Sequence, residues 1–324
     1  MDFLESLKLI LFVGSALVVA LAIGFFIIQK VVMTPFPVIR RKEEEKYYLD
    51  PATIKQFEFP RIEDPPTVDL SVVIPAYNEE ERLPSMLGDC MEYLEKEWKG
   101  SYEVILVSDG SQDKTVELGL KYSKKFTSSK FRVLDLIENR GKGGAVRLGM
   151  LSTRGKFSLF ADADGATDFK DFSKLNDLIL EMTGNDWNKE AIVIGSRAHL
   201  EQDSIATRSL FRTVLMHGFH FLVWLFTVKS VKDTQCGFKL LSRSAIQKLF
   251  TIMHVERWAF DVELLYLAEK MKIPIKEVAV NWQEIQGSKL TPLAASLQMG
   301  RDLFLIWFRY TFGIWKVYKN HHSF

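Results

Sequence analysis

The chain has 324 residues, 47% of them hydrophobic, which allows one large domain or two small ones. A formal charge of +1 offers no basic face, so nucleic acid is not expected as a partner. Two cysteines, Cys90 and Cys236, are too few for a disulfide framework and fit a domain in a reducing compartment.

Leu9 to Ile28 runs without a charge, and Gly and Ser are its only weakly polar members. About 20 apolar residues suffice to cross a bilayer core as a helix. A cleaved signal peptide would have a shorter apolar region and a small-residue cleavage site. Gln29-Lys30-Val31-Val32-Met33 follows instead, so residues 1–33 read as an uncleaved anchor in a lipid bilayer. Lys8 stands alone before the span, whereas Lys30, Arg40, Arg41, Lys42 and Lys46 follow it. Positive residues stay on the cytoplasmic side, so the body of the protein is expected to face the cytosol. Residues 34–68 form a polar, Pro-punctuated connector, whose charged middle suits a short helix near the headgroups.

From Asp69 the pattern changes to strands alternating with helices, and residues 69–290 read as one domain. Candidate strands are Leu70–Ile74, Glu103–Val107, Arg132–Ile137, Phe157–Phe160 and Ala191–Ile194. Helical patterns lie around Arg82–Trp98, Lys114–Phe126, Gly144–Ser152 and Phe169–Met182. This alternation predicts an α/β fold with a mainly parallel sheet flanked by helices. Ligands of open α/β sheets bind beyond the carboxyl ends of the strands. Four polar loops follow the first four strands and should converge there: Pro75–Glu79, Ser108–Gly110, Asn139–Gly144 and Asp162–Asp164.

Asp162-Ala163-Asp164 places two carboxylates at the mouth of an apolar strand, where both can face one hard cation. Such a cation takes oxygen ligands and is commonly shared with substrate phosphates. The bland alternative is a solvated turn. Asp109, at another strand end, can accept the imide N–H of a uracil or simply open an Asx turn. Asn139 to Ala145 opens a helix with three glycines and Lys142, suited to an anion or to a plain helix entry. It is neither a Walker A loop nor a dinucleotide fingerprint, since Val146 stands at the last glycine position.

Arg197, Lys239 and Arg257 are candidate clamps for a phosphate, against the reading of ordinary surface charges. Asp233 and Asp261 are the remaining candidate acids, or else a cap or salt bridge. His199, His217, His220 and His254 lack any zinc spacing. Leu215–Val228 and Leu303–Val317 are apolar but short for spans, so each is a buried core helix or an interfacial one. Residues 291–324 form an amphipathic tail whose contact with the membrane is open.

Ser71–Glu80, Ser108–Thr115 and Asp162–Asp164 resemble the family 2 glycosyltransferases of GT-A fold. Asn139–Ala145, Ala161–Thr167, Gly195–Leu200, Asp233–Lys239, Val255–Glu263, Val280–Trp282 and Gly287–Lys289 look like the members that glucosylate dolichyl phosphate. The resemblance implies inverting transfer of glucose from UDP-glucose to dolichyl phosphate, with Mg²⁺ or Mn²⁺ as cofactor. The product, dolichyl β-D-glucosyl phosphate, would serve N-glycan precursor assembly at the cytosolic face of the endoplasmic reticulum membrane. Carried over by motif, Pro75, Tyr77 and Glu79 border the nucleotide, and Val107 and Asp109 hold the base. Lys142 lies near the ribose or diphosphate, Asp162 and Asp164 with Ala163 between them hold donor and metal, and Arg197 reaches a phosphate. The family usually has two acids at the second strand end, where Ser108 precedes Asp109 here. The alternatives are a dolichyl-phosphate mannosyltransferase using GDP-mannose and a non-catalytic, membrane-tethered nucleotide-binding protein. A two-metal phosphohydrolase lacks its His/Asp cluster.

Overall fold

The structure, a computed structural model, describes residues 3–200, 218, 222–223, 225–285 and 292–318. Helix α1 (Phe3–Val32) precedes a two-stranded hairpin of β1 (Tyr47–Asp50) and β2 (Lys55–Glu58). Seven further strands form one sheet: β3 (Val68–Ala76), β4 (Tyr102–Asp109), β5 (Phe131–Leu136), β6 (Gly155–Ala161), β7 (Ile192–Ser196), β8 (Phe238–Ser242) and β9 (Ile275–Ala279). Their order is 5-4-3-6-8-7-9. All neighbours are parallel except β8, which runs antiparallel to both β6 and β7.

The period of two along each strand divides the apolar side chains between two cores. Val73, Ile105, Val107, Leu134 and Phe160 enter the core under α4 (Lys142–Leu151), α6 (Arg243–Phe250), α7 (Phe260–Lys270) and α8 (Pro292–Thr311). Val72, Ile74, Val104, Leu106 and Leu159 enter the opposite core, under α2 (Leu83–Lys96) and α5 (Phe172–Thr183). On α2 the buried residues Leu83, Met86, Leu87, Cys90, Met91 and Leu94 recur three and four apart, the stripe of a helix laid on a sheet. Helix α3 (Thr115–Phe126) packs beside β5, and α5 stops at Gly184 in the left-handed region, the usual helix stop. The five expected strands and four expected helices are all present. The expected list lacks β8, β9 and the hairpin.

Two further segments pack against this domain. The charged middle of the connector forms the expected short helix, a single 3₁₀ turn over Glu44–Lys46, and the hairpin after it lies along β5, where Tyr48 receives the Arg132 guanidinium at 4.6 Å. One face of the second apolar stretch, Leu303–Val317, joins the core, one of the two readings open to it: Leu303, Ile306, Tyr310, Ile314 and Trp315 are buried. Trp315 stacks on His254 at 4.1 Å with rings 5° apart. Half of Leu215–Val228, with His217 and His220, and all of Gly287–Lys289 lie outside the described residues.

Among the described residues one helix is long and apolar enough to cross a membrane, over Glu5–Val32, and none of its most apolar stretch is buried in the protein. Its end docks on α8. The Phe25 and Phe26 rings meet Phe308, and Arg309 Nε donates to Gln29 Oε1 at 2.9 Å. The Lys316 amide donates to the Pro35 carbonyl at 3.0 Å.

Candidate active site

The loops after β3, β4, β5 and β6 meet at one sheet edge, because parallel neighbours end on the same side. The first two are stitched together. The Asn78 amide donates to Ser111 Oγ at 3.1 Å, Asn78 Oδ1 accepts from the Gln112 amide at 2.8 Å, and the Glu79 amide donates to Thr115 Oγ1 at 2.9 Å. Tyr77 stands out from this edge, 42% exposed. Ser108, at the position where two acids were in question, is fully buried and its hydroxyl accepts from the Ser111 amide at 3.4 Å.

Asp109 sits under the next loop. Its two carboxylate oxygens accept from the Arg140 amide at 2.8 Å and the Gly141 amide at 2.9 Å. Burial raises its pKa, and those two amides oppose the rise. The chain here turns through Gly141 with φ of +85°, and a Cβ would lie 2.8 Å from the Glu256 carbonyl, so only glycine fits. Lys142 is the first residue of α4, and its ammonium lies 2.6 Å from Asp162 Oδ1. Burial opposes its charge, but Asp162, Asp261 and Asp164 outweigh it and raise its pKa, so the ammonium persists.

Asp162 and Asp164 follow β6. The Asp162 amide donates to the Gly237 carbonyl at 3.0 Å, and Asp164 Oδ1 accepts from the Ala166 amide at 3.0 Å. Asp162 Oδ1 is buried, and among the described residues no hydrogen-bond donor is aligned on it and the Lys142 charge alone faces it. That arrangement suits a hard cation: two carboxylates on one edge, one with an oxygen no donor satisfies. Among the described residues no third His, Cys, Asp or Glu joins them to make a protein-only metal cage, so diphosphate oxygens and water would complete the shell. Arg82, absent from the predicted set, grips Glu79 at 2.5 Å, and both aspartates favour its charge. The signal was a Glu79–Arg82 spacing of three at a helix start.

The remaining predicted residues separate into pairs. Lys239 is fully buried on β8, with its ammonium 2.5 Å from Asp261 Oδ1 and 2.6 Å from the Cys236 carbonyl. It cannot reach an incoming phosphate, which corrects its reading as an acceptor clamp. Asp261 lies under the DxD, its pKa raised by burial and lowered by Lys239 and Lys142. Arg197 forks onto Asp233 at 2.7 and 2.8 Å, and Trp282 lies under the guanidinium at 5.4 Å. Burial raises the Asp233 pKa, but the Arg197 hydrogen bond and charge prevail and hold it low. Pro75 and Val107 are buried in β3 and β4, so Val107 offers no side chain to a base. Arg257 is different: it is exposed beside the Gly141 loop, with no carboxylate partner among the described residues.

Glycosyl transferase family 2 matches residues 71–250, the stretch that carries all four loops. Dolichyl-phosphate beta-glucosyltransferase of Drosophila melanogaster is 61% identical over 304 residues, covering 93% of this chain and 92% of its own. The Homo sapiens protein of the same name is 52% identical over 94% of each chain, and that of Saccharomyces cerevisiae 45% identical over 80% of each. Glucosyl-3-phosphoglycerate synthase from Mycobacterium tuberculosis, solved with phosphoglyceric acid, aligns with a TM-score of 0.52 at 19% identity, over 74% of this chain and 78% of its own. At that identity it bears on the fold alone, a GT-A arrangement. The chain belongs to glycosyl transferase family 2 and, within it, to the dolichyl-phosphate beta-glucosyltransferases.

Proposed function

We propose that the protein transfers glucose from UDP-glucose to dolichyl phosphate, inverting the anomeric carbon to give dolichyl β-D-glucosyl phosphate. The observation that carries this reading is the DxD with Lys142 against it, in a chain 61% identical to a relative that bears the name of this reaction. The acceptor is a phosphate monoester with a second pKa of about 6, so its oxygen is largely anionic at neutral pH. That oxygen attacks the anomeric carbon in line. The new O–C1 bond forms as the bond to UDP breaks, and UDP leaves with the electron pair. No strong general base is needed, so positioning carries most of the catalysis.

Asp162 and Asp164 are the residues that would hold Mg²⁺ or Mn²⁺, which when bound supplies positive charge to the leaving diphosphate. The Lys142 ammonium, 2.6 Å from Asp162, and the α4 N-terminus face the place of the diphosphate. Asp109 serves by fixing the Arg140–Gly141 amides that shape the nucleotide pocket, with Tyr77 and Glu79 at its rim. The Arg197–Asp233 and Lys239–Asp261 pairs are the fixed frame beneath the sugar. Arg257, exposed and without a carboxylate partner among the described residues, takes the acceptor phosphate. The basic residues after α1 set the domain on the cytosolic side of the endoplasmic reticulum membrane. Exposed Phe304 on α8 and Phe312 just past its end, beside the end of α1, rest against the same bilayer.

The test is transfer of labelled glucose from UDP-glucose to dolichyl phosphate by detergent-solubilised protein, with product extracted into organic solvent. Unlabelled UDP-glucose competes and GDP-mannose does not. A lipid product from GDP-mannose, or UDP binding without any lipid product, contradicts the reading.

A further inference from the structure

The connector holds one acid that does not behave as a tether residue. Glu45 is fully buried, although it sits within the run Glu43–Glu45. Its Oε2 accepts from the Lys42 amide at 2.9 Å and from Arg140 Nη2 at 2.8 Å. Its Oε1 accepts from the Ile137 amide at 3.2 Å and from the same Nη2 at 3.0 Å. Arg140 Nη1 donates to the Arg40 carbonyl, and the Lys42 ammonium pairs with Glu138 at 2.5 Å.

These contacts grip the loop leaving β5 from its outer side. Asp109 grips the same loop from within, through the Arg140 and Gly141 amides. Between the two grips the chain enters α4 at Lys142, beside Asp162. Removing the Glu45 charge leaves a partly buried guanidinium without its counter-charge and weakens the hold on the Ile137 amide. A loop so released carries Lys142 and the helix-entry amides with it.

We propose that Glu45 is a positioning residue of the donor site: through Arg140 it sets the loop bearing Lys142, so that Arg40–Glu45 forms the outer wall of the nucleotide-sugar pocket. This rests on the reading that UDP-glucose binds there. The connector leaves α1 at Val32 and is pinned at Pro35 by the Lys316 amide, so the donor loop is mounted on the membrane exit.

The test uses the full-length protein in detergent, with donor KM, acceptor KM, kcat and the Kd of UDP measured for Glu45→Gln, Arg140→Lys and the control Glu43→Gln. Among the described residues the exposed Glu43 carboxylate pairs with Lys46 alone. Glu45→Gln is expected to raise donor KM and UDP Kd together by about 10- to 100-fold, the worth of a hydrogen-bonded charge. Acceptor KM should stay within about threefold, since the acceptor is held elsewhere, whereas kcat falls along with donor affinity as Lys142 leaves the departing diphosphate. Arg140→Lys keeps the charge but loses the fork and gives a smaller rise in the same two constants; Glu43→Gln gives none. If Glu45→Gln is not recovered folded, Arg140→Lys carries the test alone. Unchanged UDP Kd in the folded variants, even with a lowered melting temperature, overturns the proposal. Wild-type protein that binds no UDP overturns the donor reading instead.

Discussion

Replacing Gly237 by alanine should disable transfer without unfolding the protein. A Cβ at this position would lie 2.0 Å from Asp162 Oδ2, 2.2 Å from its Cγ and 2.4 Å from Oδ1. Nonbonded carbon and oxygen come no closer than about 3.2 Å, given the optimal separations of packed atoms, so the carboxylate must shift by about 1 Å. The backbone is not the obstacle, since Gly237 is not in the left-handed region. A shift of about 1 Å at a reacting group lowers rate by about 100-fold, or about 2.7 kcal/mol of transition-state stabilisation. Full-length Gly237→Ala would be assayed for labelled lipid product across a Mg²⁺ and Mn²⁺ titration, with its melting curve recorded alongside. The expected result is lost turnover, a higher cation requirement and a near-normal melting temperature. Gly88→Ala is the control. It sits exposed inside α2 with nothing within 4 Å of a new methyl, and should keep full activity while gaining about 0.5–1 kcal/mol of stability. Wild-type turnover by Gly237→Ala would refute the placement of Asp162 at the reacting centre.

Three further outcomes follow from the same geometry. Arg257→Ala should raise acceptor KM by about tenfold or more while leaving UDP Kd unchanged, and Arg257→Lys should recover part of the loss, as a phosphate contact requires. The Asp233 carboxyl is held below its unfolded pKa by Arg197, so its stabilisation is complete above the ordinary carboxylate range and is lost as pH falls through the lower folded value. Asp233→Asn should therefore melt below wild type at neutral pH, and the gap should close in acid. Trp315→Ala should destabilise by about 3–5 kcal/mol, because this ring is packed in the core on His254, whereas Phe304→Ser with Phe312→Ser should weaken membrane sedimentation of the protein lacking residues 1–33 and leave UDP binding intact.

Much of this architecture was legible because strand ends and chemistry coincide in the sequence. Apolar runs ending in Ala76, Asp109 and Ala161 mark where a parallel sheet delivers polar loops to one edge. The DxD, Lys142 and Asp109 come together there as expected. Strand β8 was not legible, because Lys239 interrupts its apolar run and reads as solvent-facing; its counter-charge Asp261 is remote in sequence and meets it only in the fold. Glu45 was hidden for a similar reason. An acid within an acidic run reads as solvated, and only its burial against Arg140 distinguishes it from Glu43 and Glu44. The Leu303–Val317 stretch left both a core and an interfacial reading open; the structure packs one face, where Tyr310 donates to buried Glu263 at 2.6 Å, and leaves Phe304 and Phe312 exposed.

The most direct measurement places wild-type protein beside Asp162→Asn and Asp164→Asn in one assay of labelled glucose transfer from UDP-glucose to dolichyl phosphate. Each variant should fold normally and lose at least about 100-fold of lipid-linked product, because the carboxylate pair acts on the transition state. The wild-type product should carry a β-linked glucose by the coupling of its anomeric proton. Near-normal turnover in both variants, or an α-linked product, would contradict direct displacement at a DxD-held donor.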